Sequence, residues 1–180
     1  MIFSGGDPLV ANDRLLSAWA EALAAIPHIR RLRVHTRLPV VIPQRVSDSL
    51  IAWLSGSRLQ SVVVIHVNHP AELDADTQQA LGRLKAAGVT LLNQSVILKG
   101  VNDNARVLAE LSERLFECGV LPYYLHAFDP VAGAHHFEVS DDKARDLVRQ
   151  LITVLPGFLV PRLVREIPGQ PGKTPLDLFA

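Results

Sequence analysis

The stretch SVVVIHVNHP, residues 61–70, decides how the rest of the chain is read. Its apolar run is short and dense in β-branched residues, and turn-forming residues bound it. That combination describes a strand buried on both faces, the type a parallel sheet contains. The polar cluster His66, Asn68 and His69 then stands where the strand ends. Similar runs recur about every 30 residues, at 32–35, 89–92, 122–126 and 158–164, with a stub at 1–3. Between them, residues 12–25, 47–54, 71–87, 103–117 and 140–154 carry helical periodicity. Ser47 and Ser140 are expected N-caps with an aspartate in the first turn, and Gly88 and Gly119 stand where a helix C-cap belongs. Strand and helix alternating through short connections predict an α/β fold, a parallel sheet or a barrel, as a single domain over 1–180.

Bulk composition narrows the function classes. The 180 residues are 48% hydrophobic, enough for one sizeable core, and 18 basic residues balance 18 acidic ones. No general field favours nucleic acid or an anionic membrane. No apolar run reaches the roughly 18 residues of a spanning helix, and no leader pattern opens the chain, so a soluble cytoplasmic protein is expected. The single cysteine, Cys118, can form no internal disulfide and cannot supply the thiolates of an iron-sulfur cluster.

In βα folds the loops leaving the strand C-termini carry the ligand site. Here they are SGGDP (4–8), HTRLP (35–39), HVNHP (66–70), NQS (93–95), HAFDP (126–130) and REIPGQPGK (165–173), and the hydrogen-bonding residues of the chain gather in them. Gly5 and Gly6 would let the backbone approach a ligand, with Asp7 placed to accept from an amine or hydroxyl; a plain strand-to-helix turn would look the same. His66, Asn68 and His69 do not make a metal site by themselves, because His-x-x-His needs further ligands. Lys173 has two chemical readings besides a solvated surface charge. The run from Gly169 to Thr174 mimics the end of a phosphate-binding P-loop, but Ile167 stands where that motif needs glycine, and Pro175 prevents the helix it requires. What remains is an amine in a constrained turn, suited to a Schiff base with an aldehyde cofactor, chiefly pyridoxal phosphate (PLP). Asp129 and Glu166 leave neighbouring strands near it, and could together hold an ammonium group or be two separate exposed acids.

Taken in order, IFSGGDPL, RLPVVIPQRV, NHPAELD, LLNQSVILKGVNDN, LPYYLHAFDPVAGAHHF and PGQPGKTPLDL resemble the lysine 2,3-aminomutase family of radical S-adenosylmethionine enzymes, across essentially the whole chain. The resemblance is greatest to the bacterial branch that serves elongation factor P. It implies a partial (βα) TIM-like barrel of the radical SAM type, lacking the N-terminal cluster-binding part. It makes Lys173 the PLP lysine and the catalytic residue, and gives Ser4, Gly5, Gly6 and Asp7 to the methionyl end of S-adenosylmethionine. His69 and Gln94 become cofactor-pocket residues, and Asp129 and Glu166 grip the ε-ammonium of the substrate. Glu166 stands where the free-lysine aminomutases carry an aspartate, which alters how lysine is seated.

The implied reaction moves the amino group of L-lysine from C2 to C3, using S-adenosylmethionine, PLP and a [4Fe-4S] cluster. The family's three cluster cysteines are missing here, so the chain is expected to be a C-terminal portion that is inactive alone. The implied product is beta-lysine for elongation factor P and its lysyl-transferring ligase. Free beta-lysine for metabolism, and a fragment without catalysis, are the alternatives.

Overall fold

The computed structural model describes residues 1–129 and 132–179. The chain packs as two compact units. The first comprises Met1–His66, Leu73–Leu92 and Cys118–Val120, and the second Val67–Glu72, Asn93–Glu117 and Leu121–Ala180.

In the first unit β1 (Ile2–Phe3), β2 (Arg31–His35) and β3 (Gln60–Ile65) lie in chain order and pair in parallel, with Ile2 opposite Arg33 and Val34 opposite Val63. Helices α1 (Asp13–Ala24), α2 (Leu38–Val41), α3 (Asp48–Ser55) and α4 (Ala75–Ala86) join and follow these strands. Leu32 and Val34 of β2, Leu16 and Ala20 of α1, and Leu50 and Leu54 of α3 are all buried. Burying such a leucine contributes roughly 2–3 kcal/mol. N-cap side chains start three of the helices. Asn12 accepts from Leu15 N, Ser47 from Leu50 N and Asp74 from Thr77 N. At the far end of α1, Arg58 donates to the carbonyls of Ala24, Ile29 and Ile26 at 2.7, 2.7 and 2.5 Å. One guanidinium thereby satisfies a whole set of carbonyls in and just beyond the last turn of α1.

β4 (Thr90–Val96) follows α4, and the second unit continues with α5 (Ala105–Glu117), β5 (Val120–His126), α6 (Asp141–Val154), β6 (Arg162–Arg165) and β7 (Thr174–Pro175). β5 and β6 pair in parallel, while β6 and β7 pair antiparallel with Arg165 opposite Thr174. The unit's core gathers Leu108, Leu125 and Leu163 around the inner stripe of α6, namely Ala144, Leu147, Val148 and Leu151, spaced as one helix face requires. Ser140 caps α6 by accepting from Lys143 N at 3.3 Å.

Beyond α2 and β7, which the sequence pattern does not predict, three expected elements have shifted bounds. The strand expected at 89–92 runs on to Val96, because the side chains of Asn93 and Ser95 in its second half are hydrogen-bonded internally. The strand expected at 158–164 begins instead with a 3-10 turn at Gly157–Leu159, closed by Leu159 N donating to Pro156 O at 2.8 Å. Pro161 lacks the N–H that pairing there would use. The helix expected at 71–87 starts later, at Ala75, after a 3-10 turn at Pro70–Glu72.

Candidate functional site

The strand-end loop of β1 carries the SGGD motif. Gly5 and Gly6 have φ of 92° and 59°, and a Cβ added at either would meet no atom within 4 Å. The backbone angle, not crowding, demands glycine at these two positions, and the space beside them is open to a ligand. Ser4 is exposed. Asp7 does accept hydrogen bonds, and its donors lie within the protein. Thr36 Oγ1 donates to its two carboxylate oxygens at 2.7 and 2.9 Å, Arg37 N at 2.6 Å and Leu9 N at 3.0 Å. Asp7 therefore ties the loop after β1 to the loop after β2 and caps the 3-10 turn Pro8–Val10. Thr36, only 2% exposed, escapes the sequence reading, although it lies in the HTRLP loop that reading singles out.

In the second unit, the segment Val67–Glu72 is held by an amide network. Asn93 accepts from Val67 N at 2.8 Å and donates to Val67 O at 3.1 Å, and Ser95 Oγ donates to the same carbonyl at 2.8 Å. Asn68 accepts from Val96 N at 2.9 Å. Asn102, fully buried, donates to Asn68 O and Val96 O and accepts from Leu98 N. These bonds let Asn93 and Ser95 be buried within a strand, since buried polar groups are tolerated when paired. They also fix the positions of His69 and of Gln94, which is 5% exposed between its two paired neighbours. His69 N and Asn68 N both donate to Glu72 Oε1, at 2.9 and 2.7 Å. Among the described residues no group of three or more His, Cys, Asp or Glu is placed to hold a metal ion.

The loop between β6 and β7 carries Lys173. Because Arg165 pairs with Thr174 in antiparallel register, residues 166 and 173 are the next positions outward and face each other. Lys173 Nζ donates to Glu166 Oε2, with the lysine side chain 26% exposed and the glutamate 67%. The hydrogen bond from Lys173, then its charge, hold the Glu166 carboxyl below its usual range against a smaller opposing effect of burial, and the charge of His126 acts in the same direction. His126 ends β5, buried, with its ring edge-on to Tyr124 at 6.0 Å.

Asp129 is met by a different cation. Arg165 Nε lies 3.8 Å from its Oδ1, while the two terminal nitrogens of that guanidinium bond Asp141 at 2.8 and 2.5 Å. Glu166 is thus brought to Lys173, and Asp129 to Arg165. Arg165 is a site-region residue that sequence reasoning passed over. Pro130, at the end of the HAFDP loop, lies outside the described residues.

A crystal structure of a radical SAM methyltransferase from Sphaerobacter thermophilus matches with a TM-score of 0.51 at 18% identity, covering 76% of this chain and 41% of that one. The fold is therefore α/β, shared with that enzyme over the matched part. No protein-family model matches the chain. The L-lysine 2,3-aminomutase of Escherichia coli (strain K12) is 57% identical over 178 residues, 99% of this chain and 52% of the relative. That of Haemophilus influenzae is 54% identical over 174 residues, covering 97% and 52%. That of Clostridium subterminale is 37% identical over 177 residues, covering 98% and 42%. By sequence the chain is similar to the C-terminal portion of these L-lysine 2,3-aminomutases. It spans about half the length of the curated relatives it matches.

Proposed function

We propose that the chain is the substrate- and PLP-handling portion of a cytoplasmic L-lysine 2,3-aminomutase, whose product, beta-lysine, is destined for elongation factor P through its lysyl-transferring ligase. The observation that carries this reading is the 57% identity to the Escherichia coli L-lysine 2,3-aminomutase over 99% of the chain. No helix among the described residues is long and apolar enough to cross a membrane.

The residues present fit two of the three groups that the family uses. Lys173 offers a primary amine, three-quarters enclosed, in a turn fixed by the β6–β7 register, as PLP attachment needs. The open face beside Gly5 and Gly6 fits close approach by S-adenosylmethionine. The [4Fe-4S] cluster does not fit. Cys118 is buried and is the chain's single cysteine, and no alternative set of ligands exists among the described residues. Radical generation is therefore not assigned to this chain by itself.

When bound, PLP supplies the π-system through which nitrogen can pass from C2 to C3, and S-adenosylmethionine supplies the fragment that removes a hydrogen. The chain's residues do the positioning. Glu166 and Asp129 offer carboxylates to the ε-ammonium of lysine, at the end of the molecule where no bond changes. Charge-assisted hydrogen bonds there fix where C2 and C3 stand. Gln94 and His69, held by the amide network, present polar groups to the cofactors from a rigid frame.

The test is titration of the 180-residue chain with PLP, followed by borohydride reduction and peptide mapping. A pyridoxyl label confined to Lys173 is expected. Labels scattered over surface lysines, or an undiminished label pattern in Lys173→Ala, would overturn the assignment.

A further inference from the structure

The antiparallel register of β6 and β7 places a carboxylate directly against the amine that the proposed function gives to PLP. In that contact Lys173 is an ammonium: all its nitrogen electrons are in bonds, and it cannot attack an aldehyde. Before it can do so it must leave Glu166 and give a proton to solvent. Only then can the C–N bond form, with the aldehyde oxygen departing as water and no change of oxidation state. Glu166 would be left without the contact that stabilises its charge. Of the neighbouring cations, Arg165 is already engaged by Asp141 and Asp129, and the charge of His126 also favours the ionised Glu166. A free carboxylate, 67% exposed and facing the PLP amine, is suited to a second alkylammonium group.

We infer that Glu166 is a shared counter-ion, held by Lys173 until PLP is captured and then passed to the alkylammonium group of the substrate. Rearrangement at one carboxylate thereby couples two events. A cation on Glu166 releases Lys173 for the cofactor, and capture of the cofactor vacates Glu166 for the cation. The coupling is reciprocal, as any linkage between two binding equilibria must be. The inference rests on the proposed PLP role of Lys173, and the experiment separates the two.

The 180-residue chain and its Glu166→Gln variant are titrated with PLP, reduced with borohydride and mapped, each with and without trimethylammonium. This cation can pair with a carboxylate but cannot condense with an aldehyde. Sodium chloride at equal ionic strength serves as the blank. Glu166→Gln keeps the side chain's shape on an exposed position, and circular dichroism verifies the fold. The variant is expected to reach half-labelling of Lys173 at roughly two- to fivefold lower PLP concentration, the range an exposed ion pair supports. Trimethylammonium is expected to lower the half-labelling concentration of the wild type and leave the variant unchanged. Equal half-points in both proteins, a higher one in the variant, or no response to the cation, with Lys173 labelled throughout, would overturn the shared counter-ion and leave the PLP assignment standing. Absence of label at Lys173 in both proteins would overturn the two together.

Discussion

The indole Nε1 of Trp53 in α3 donates to Asp13 Oδ1 at the start of α1, at 3.0 Å. The same carboxylate receives both terminal nitrogens of Arg45, at 2.7 and 3.1 Å, and the hydroxyl of Ser49 at 2.6 Å. Burial works to raise the Asp13 carboxyl, but the hydrogen bonds from Arg45, Ser49 and Trp53, and the charge of Arg45, outweigh it and bring it down to about 2. A depressed acid contributes stability that is present above its unfolded value, near 4, and is lost as pH falls through its folded one. Acid unfolding monitored by tryptophan fluorescence should therefore show a component between about pH 4 and pH 2 that Asp13→Asn lacks. Removing the charge should also cost about 2 kcal/mol at neutral pH, since Arg45 would be left partly buried and unpaired.

Asn102 bonds three backbone groups with one amide and is fully buried. Asn102→Asp turns two donated bonds into contacts between a carboxylate and two carbonyl oxygens. A loss of roughly 3 kcal/mol is expected, read as a lower urea midpoint at unchanged slope. Amide hydrogen exchange should rise first in Val67–Glu72, whose anchor this is.

Thr36 donates its single hydroxyl proton to Asp7 while being almost wholly buried. Thr36→Val preserves the shape and deletes the donor, at a cost of about 2 kcal/mol because the bond is charge-assisted. Exchange protection of Leu9 and Arg37 N–H, which also bond Asp7, should fall in the same variant.

Arg165 holds Asp141 with two nitrogens while its third faces Asp129. A lysine ammonium is a single point and cannot span both acids. Arg165→Lys should lower thermal stability by about 1 kcal/mol or less, because the three side chains are part-exposed, and Arg165→Met should do no better. Thermal unfolding of both variants reads the difference.

Much of this architecture could be read from residues alone. A run such as Val62–Val63–Val64–Ile65 has one sensible fate, and Ser47 and Ser140 cap the helices they precede. What escaped reading depended on partners far along the chain. Asn93 and Ser95 look like loop residues because of their polarity. They are strand residues because Val67, 26 and 28 positions away, pairs with both. Thr36 could not be singled out without knowing that Asp7 lies beside it. β7 is a two-residue strand containing a proline, below any threshold of pattern, yet its register brings Glu166 and Lys173 together. Lys173 stands out in the sequence because glycine and proline surround it, and the structure adds its contact with Glu166.

The turn after β3 also settles which tautomer His69 adopts. Its Nδ1 accepts from Ala71 N at 3.1 Å, so that nitrogen carries a lone pair and no hydrogen. The ring proton must then sit on Nε2, the far nitrogen of the imidazole. Whatever approaches His69 from that side meets a hydrogen-bond donor, suited to a carboxylate, a carbonyl or a ring nitrogen. A cation seeking a lone pair would find none there without first breaking the turn.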